Sequence, residues 1–177
     1  MPARVVFLDR DGVINRNAPE GEYILTPEEI HILPDVPEAI KRLNELGFKV
    51  VVVTNQRCVA LGQIKEKGID RLHDHMRAEL EKEGAVIDEI FYCPHSLEED
   101  CFCRKPQPGM ILAGLQKYKA KNEDCFLVGD SQRDIKAARL AGVTPILIRD
   151  SEDGPTFKST WQVSSLSEAV KKIEREA

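Results

Sequence analysis

Residues 49–53 read Lys-Val-Val-Val-Val. So unbroken a run of β-branched residues suits a strand buried on both faces, and such strands occur where helices cover both sides of a parallel sheet. Four other segments have the same character: Val5-Val6-Phe7-Leu8, a stretch near Val86–Tyr92, Cys125-Phe126-Leu127-Val128, and Thr144–Ile148. Helical patterns separate them. Asp35 reads as an N-cap, with Pro37 in the first turn and Glu38 completing a capping box; Val36, Ile40, Leu43 and Leu46 form the apolar stripe, and Gly47 ends the helix. Further helices are expected near Lys65–Glu83, Gly109–Lys119 and Arg133–Ala141, with a last one capped by Ser165-Leu-Ser-Glu168. Thr26-Pro27-Glu28-Glu29 starts a short helical turn, and 149–164 reads as a polar loop. Five strands alternating with helices predict a three-layer α/β/α fold around a mainly parallel sheet. With no repeat, low-complexity tract or linker in sight, residues 1–177 are expected to form a single domain.

In such a sheet the site lies beyond the carboxyl ends of the strands. The residues found there are polar in every case. After the first strand comes Asp9-Arg10-Asp11-Gly12. One carboxylate can attack phosphorus, and a second can protonate the leaving oxygen and then deprotonate water; the alternative is a calcium or turn motif. After the second strand come Thr54 and Asn55, which are phosphate donors or else an ordinary helix cap. Arg104 and Lys105 are cations for a phosphoryl group or sugar, or simply solvated surface. After the fourth strand, Asp130 can hold Mg²⁺ together with Asp9, while Asp134 either binds through water or orients Asp130; the alternative is a capped helix start. A transferred phosphoryl group needs a nucleophile, an acid/base, positive charge and a cation in one place, and the four segments supply that set in order.

The net charge of −5 argues against a nucleic-acid or anionic-membrane partner; the partner expected for the strand-end site is a small phosphorylated metabolite. The start MPARVVFLDRDG shows no signal-peptide cleavage pattern, and no apolar stretch approaches the length of a membrane span. Five cysteines, an odd number, fit thiols or metal ligands in a reducing cytoplasm better than a disulfide framework. A monomer is expected.

DRDG, VVTNQ, CRKP and VGDSQRD resemble the four motifs of the haloacid dehalogenase superfamily of phosphatases, over about Val5 to Arg149. The resemblance implies a HAD-like, Rossmann-type sheet, with Asp9 as nucleophile, Asp11 as acid/base, and Thr54 and Lys105 as phosphate ligands. Mg²⁺ would be held by Asp9, Asp130 and the backbone carbonyl of Asp11. The segment from Cys93 to Met110, CPHSLEEDCFCRKPQPGM, is similar to the branch of heptose bisphosphate and histidinol phosphate phosphatases, where this loop carries a structural zinc. Cys93, His95, Cys101 and Cys103 would then close a Cys₃His site over 93–103. Gln107-Pro108-Gly109-Met110 favours the heptose side, with histidinol phosphate as the alternative substrate and a zinc-stabilised, non-catalytic binding module as the alternative of another class.

Two departures stand out. Gln-Arg-Cys-Val-Ala-Leu-Gly follows Asn55 where that branch typically has Gln-Ser-Gly-Ile-Ala-Arg-Gly, and Ser131 stands where many members have Lys. A substrate-binding cation is therefore either missing or moved to Arg57. No large cap domain fits, so an open site rimmed by the 12–26, 56–64 and zinc loops is expected. Cys125 reads as core, Cys58 has no clear role, and His31, His73 and His75 read as surface or satisfied polar residues.

Overall fold

The computed structural model describes residues 2–149 and 161–176. In chain order the elements are β1 (Arg4–Leu8), α1 (Val36–Glu45), β2 (Phe48–Asn55), α2 (Glu66–Lys82), β3 (Glu89–Cys93), α3 (Gly109–Tyr118), β4 (Phe126–Gly129), α4 (Gln132–Ala141), β5 (Thr144–Ile148), β6 (Trp161–Val163) and α5 (Leu166–Glu176). The strands form one parallel sheet in the order β3-β2-β1-β4-β5-β6. The order reverses at β1, which puts the switch point between β1 and β4.

The alternation of side chains explains the layers. Val6 and Leu8 of β1, with Val50 and Val52 of β2, pack under α1, α2 and α5. Val5, Phe7, Val51 and Val53 face the opposite side, under α3 and α4. All eight are fully buried, which is why Val5–Leu8 and Val50–Val53 are unbroken apolar runs; each such side chain contributes about 1.5–3 kcal/mol on burial. Gly114 is required on the α3 side, because a Cβ there would come within 2.5 Å of the Phe7 ring.

Three expectations need correction. A sixth strand, β6, lies within the segment read as loop: Trp161–Val163 pairs with Ile146–Ile148, while residues 150–160 of that segment lie outside the described residues. Asp35 does not cap α1 with its side chain; Oδ2 instead accepts the Ser167 N–H of α5 at 3.0 Å, tying the two helices together. β3 begins at Glu89 rather than at Val86, because Asp88 turns to accept the Val50 N–H at 2.9 Å and the Lys49 ammonium at 2.7 Å before pairing starts. Between β1 and α1 the chain makes turns, two isolated bridges (Asp11 with Asn15 and Asn15 with Ile32) and one helical turn at Pro27–Glu29, whose capping box joins Thr26 and Glu29. No domain-sized insertion covers the strand ends among the described residues.

Candidate active site

The register brings the expected strand-end residues together. Leu8 pairs with Val52 on one side and Val128 on the other, so Asp9 emerges level with the ends of β2 and β4. Its N–H continues the ladder to Val128 O at 3.0 Å. Gly12 then turns the chain with φ +83°, and a Cβ there would lie 1.9 Å from Asp130 Oδ2. Only glycine allows the first loop to pass this close to the end of β4. The result is a cleft of about 370 Å³ over the switch point, lined by Asp9, Asp11, Thr54, Asn55, Lys105 and Asp130 among others.

Lys105 is the centre of its charge pattern. The side chain is 3% exposed, and its ammonium donates to Asp9 Oδ1 at 2.9 Å, Val53 O at 2.8 Å and Asp134 Oδ1 at 2.6 Å. Burial alone would discharge it, but the Asp134 and Asp9 carboxylates more than compensate and raise its pKa. Asn55 fixes the lysine backbone from both sides: its Nδ2 donates to Lys105 O at 2.9 Å, and its Oδ1 accepts Lys105 N–H at 3.0 Å. Asn55 thereby places Lys105, and it also lines the cleft. Asp134 does not orient Asp130. One oxygen holds Lys105; the other accepts the Ser131 N–H at 3.1 Å and the Ser131 hydroxyl at 2.8 Å, capping α4. Gly129 makes this approach possible, since a Cβ there would sit 2.2 Å from that of Asp134.

Three carboxylates, Asp9, Asp130 and Asp134, surround this one ammonium. Burial, then the Asp134 and Asp130 charges, push Asp9 up to about 8 in spite of Lys105. Burial and Asp134 raise Asp130 as well, against a hydrogen bond from Asn17. Asp9, Asp130 and Asp134 each present an oxygen within 4.8 Å of the others. Mg²⁺ binds oxygens at about 2.1 Å, so ligands up to about 4.2 Å apart can share it. With Asp134 occupied by Lys105 and Ser131, Asp9 and Asp130 are the residues that fit the cation, and its charge is what the cluster lacks.

Asp11 is held differently. Arg10, fully buried, grips both its oxygens, Nε to Oδ1 and Nη2 to Oδ2, each at 3.1 Å. Asn15 donates to Oδ1 at 2.9 Å and Gln56 to Oδ2 at 3.3 Å. Burial would raise the Asp11 pKa; the Arg10 charge and these hydrogen bonds outweigh it and hold the carboxyl below its usual value. Gln56 also donates to Thr54 Oγ1 at 2.9 Å, which leaves the hydroxyl proton of Thr54 free for a ligand. Cys58, fully buried, donates to Gln56 Oε1 at 3.7 Å.

Sequence reasoning missed the buried Arg10 and the roles of Gln56 and Asn15, and of its two alternatives for a substrate-binding cation, missing or moved to Arg57, the second does not reach the cleft lining. Arg57 does not line the cleft: it turns to Glu98 at 3.9 Å, and the 56–64 loop packs on the zinc loop through Ala60 N–H to Pro94 O at 3.1 Å. The rim comes from Asn17–Ile24, within the expected 12–26 loop, and from Arg133, an exposed cation in the first turn of α4. Arg104 lies outside the main cleft, in an adjoining notch of about 200 Å³ that Lys105, Gln107 and Arg133 also line.

The cysteine loop closes as a cluster. Cys93 Sγ lies 3.4 Å from His95 Nδ1 and 3.5 Å from Cys101 Sγ; Cys103 Sγ lies 3.2 Å from His95 Nδ1 and 3.6 Å from Cys101 Sγ. Zn–S bonds of about 2.3 Å in a tetrahedron place sulfurs about 3.7 Å apart, so the four donors are compatible with zinc. Burial raises the Cys93 and Cys103 thiols, whereas Cys101, against its own burial, is drawn down to about 7 by the Arg104 N–H and the neighbouring thiols. Cys93 O accepts the Gln56 N–H at 2.8 Å, and Lys105 follows two residues after Cys103, so the loop is joined to the cleft at both ends.

Fold and cleft together define a class: a doubly wound α/β protein whose switch point opens into a cleft lined by a nest of carboxylates and one lysine. The chain belongs to the haloacid dehalogenase-like hydrolase family, whose model matches residues 2–142. It is 37% identical over 155 residues to D-glycero-beta-D-manno-heptose-1,7-bisphosphate 7-phosphatase of Pseudomonas putida, covering 88% of this chain and 87% of that enzyme. It is 38% identical over 147 residues to the D-glycero-alpha-D-manno-heptose-1,7-bisphosphate 7-phosphatase of Photorhabdus laumondii, covering 79% of each. The crystal structure of D,D-heptose 1,7-bisphosphate phosphatase from B. bronchiseptica, complexed with magnesium and phosphate, matches with a TM-score of 0.90 at 33% identity over 99% of both chains. No helix among the described residues is long and apolar enough to cross a membrane.

Proposed function

We propose that residues 1–177 form a single-domain, monomeric, cytoplasmic phosphatase that removes the C7 phosphate of D-glycero-D-manno-heptose 1,7-bisphosphate. The observation that carries this reading is the Lys105 ammonium shared by Asp9, Asp134 and Val53 O beneath an open cleft, in a chain that matches a heptose bisphosphatase along its whole length. Asp9 attacks the C7 phosphorus and becomes an aspartyl-phosphate. Asp11 protonates the departing C7 oxygen, then takes a proton from the water that cleaves the acyl-phosphate. Thr54 donates to a phosphoryl oxygen, and Lys105 neutralises its charge. Mg²⁺ would be held by Asp9, Asp130 and the Asp11 carbonyl and would supply the remaining positive charge. Arg104 and Arg133 face the notch beside the cleft and take the remote phosphate of the sugar.

The test is Mg²⁺-dependent phosphate release from both anomers of heptose 1,7-bisphosphate and from histidinol phosphate. Release from a bisphosphate anomer at least tenfold faster than from histidinol phosphate is expected. Arg133→Ala raises KM for the bisphosphate about tenfold, whereas Arg57→Ala leaves it within about twofold, in keeping with one lost charge-assisted contact. Faster release from histidinol phosphate would overturn the substrate.

Zinc in the Cys₃His cluster has a structural task, since four protein ligands leave no open position. Metal analysis is expected to return one zinc per chain for the parent and a small fraction of that for Cys103→Ser. The same variant loses at least tenfold in kcat, because Lys105 is held from the loop end as well as by Asn55. Full activity in a zinc-free Cys103→Ser protein would remove zinc from the account.

A further inference from the structure

Arg10 and His73 form a buried polar pair that the phosphatase reading does not use. Arg10 lies next to Asp9 in sequence, yet it is 0% exposed and turned away from the cleft, and its planar fork meets both oxygens of Asp11. The third terminal position, Nη1, points at His73 Nε2 at 3.2 Å. His73 sits in the middle of α2, 5% exposed, its ring edge-to-face with Tyr92 of β3 at 5.6 Å. Guanidinium has no acceptor, so Nε2 must accept and the ring proton must reside on Nδ1. Burial, with the Arg10 charge beside it, keeps the ring neutral, which is the form that can accept.

We propose that His73 and Arg10 act as a positioning brace: His73, from the far side of the α2 layer, fixes the guanidinium, and the guanidinium sets the orientation of the Asp11 carboxylate for proton transfer. This rests on the reading of Asp11 as the acid/base. An aspartate has two free torsions, and proton transfer depends on which oxygen faces the reacting group. A planar fork gripping both oxygens fixes the plane of the carboxylate, but only if the fork is itself held. Asn15 and Gln56 each reach a single oxygen, at 2.9 and 3.3 Å, and cannot set that plane alone. His73 is the group that pins the outer edge of the fork, and neither it nor Arg10 Nη1 touches the ligand cleft. Neither residue would contact substrate; both work through Asp11.

The experiment compares His73→Gln, whose Oε1 replaces Nε2 as an acceptor, with His73→Phe, which keeps a ring against Tyr92 but accepts nothing. Steady-state kinetics are measured with Mg²⁺ on heptose 1,7-bisphosphate and on p-nitrophenyl phosphate, alongside the melting temperature. The expected result is a kcat about tenfold lower for His73→Phe with KM within twofold, and recovery to within about twofold of the parent in His73→Gln; misplacing a proton-transfer group by an ångström is enough for such a loss. Should His73→Phe fail to fold, His73→Leu, which likewise accepts nothing and fills the space, takes its place with the same expectation. Parental kcat in His73→Phe overturns the brace, as do equal losses in the Gln and Phe variants or a loss confined to KM, each of which marks plain packing. A parent that hydrolyses the aryl ester but not the heptose ester refutes the proposed substrate alone, and the brace is then judged on the aryl ester. A parent that hydrolyses neither overturns both.

Discussion

Asp9→Asn is expected to abolish Mg²⁺-dependent phosphate release, by a thousandfold or more, while leaving the fold intact. The amide has the shape of the carboxylate and can still accept from Lys105 and from the Arg10 N–H, which reach Asp9 Oδ1 at 2.9 and 2.8 Å. What it lacks is the nucleophile, and no neighbour replaces it: Asp134 is committed to Lys105 and Ser131, and Asp11 to Arg10. Because a covalent step is lost and not one hydrogen bond among several, the effect exceeds the hundred- to thousandfold typical of removing a single oxyanion donor. The stability readout runs the other way. Burial and two like charges make an ionised Asp9 unfavourable in the cation-free fold, so a neutral isostere costs little and the melting temperature without Mg²⁺ is expected to stay equal or rise slightly. The same variant decides between enzyme and binding module. A binding module shows no turnover in the parent and changes only ligand affinity on substitution. Release in Asp9→Asn within tenfold of the parent would displace Asp9 as nucleophile.

The parts of this site that were legible in the sequence share one property: each is announced by the strand before it. Val5–Leu8, Lys49–Val53 and Cys125–Val128 are apolar runs that stop abruptly, and the polar residues that come next in the chain, Asp9, Thr54 and Asp130, must lie at the carboxyl edge of the sheet. That Cys93, His95, Cys101 and Cys103 gather in one cluster was legible because thiols and imidazole crowd into eleven residues. Residues whose role depends on a partner distant in the chain were not. Arg10 sits between two aspartates and carries no local sign of burial; it is buried where Asp11 neutralises it and His73, 63 positions away, accepts from Nη1. Asp134 reads as a helix-start acid, which it is, but its other oxygen meets a lysine 29 residues earlier. Arg57 and Arg133 are both cations near strand ends, and which of them faces the cleft is set by loop packing against Pro94 and by the phase of α4, neither of which has a local signature. β6 was missed for a simpler reason. Three residues with one buried side chain are too short to show a period, and the strand exists because Ile146–Ile148 offers it an edge.

Lys105→Met is expected to damage both stability and catalysis, and the two losses can be separated. The ammonium lies between carboxylates whose side chains are 13% and 1% exposed. Methionine fills the same channel but leaves those acids facing one another without a counter-charge, and breaking such a buried pair from one side costs about 3–5 kcal/mol. For a chain of this size that corresponds to a melting temperature lower by about 10 °C. Adding Asp134→Asn removes one of the stranded charges while keeping an oxygen that can accept the Ser131 N–H at the start of α4. The double variant Lys105→Met/Asp134→Asn is therefore expected to regain at least half of the lost melting temperature. Activity should not follow. On the proposed roles, the cation that meets the transferring phosphoryl group is still absent, and Arg104 in the neighbouring notch and Arg133 on the rim would meet a different part of the ligand; kcat should remain at least a hundredfold below the parent. Mg²⁺ gives an internal control, because Asp9 and Asp130 are intact in the double variant: the cation should still raise its melting temperature by binding the folded state alone. If activity and stability return together, Lys105 is a structural counter-ion only, and the charge that stabilises the reacting phosphoryl group must come from elsewhere in the cleft.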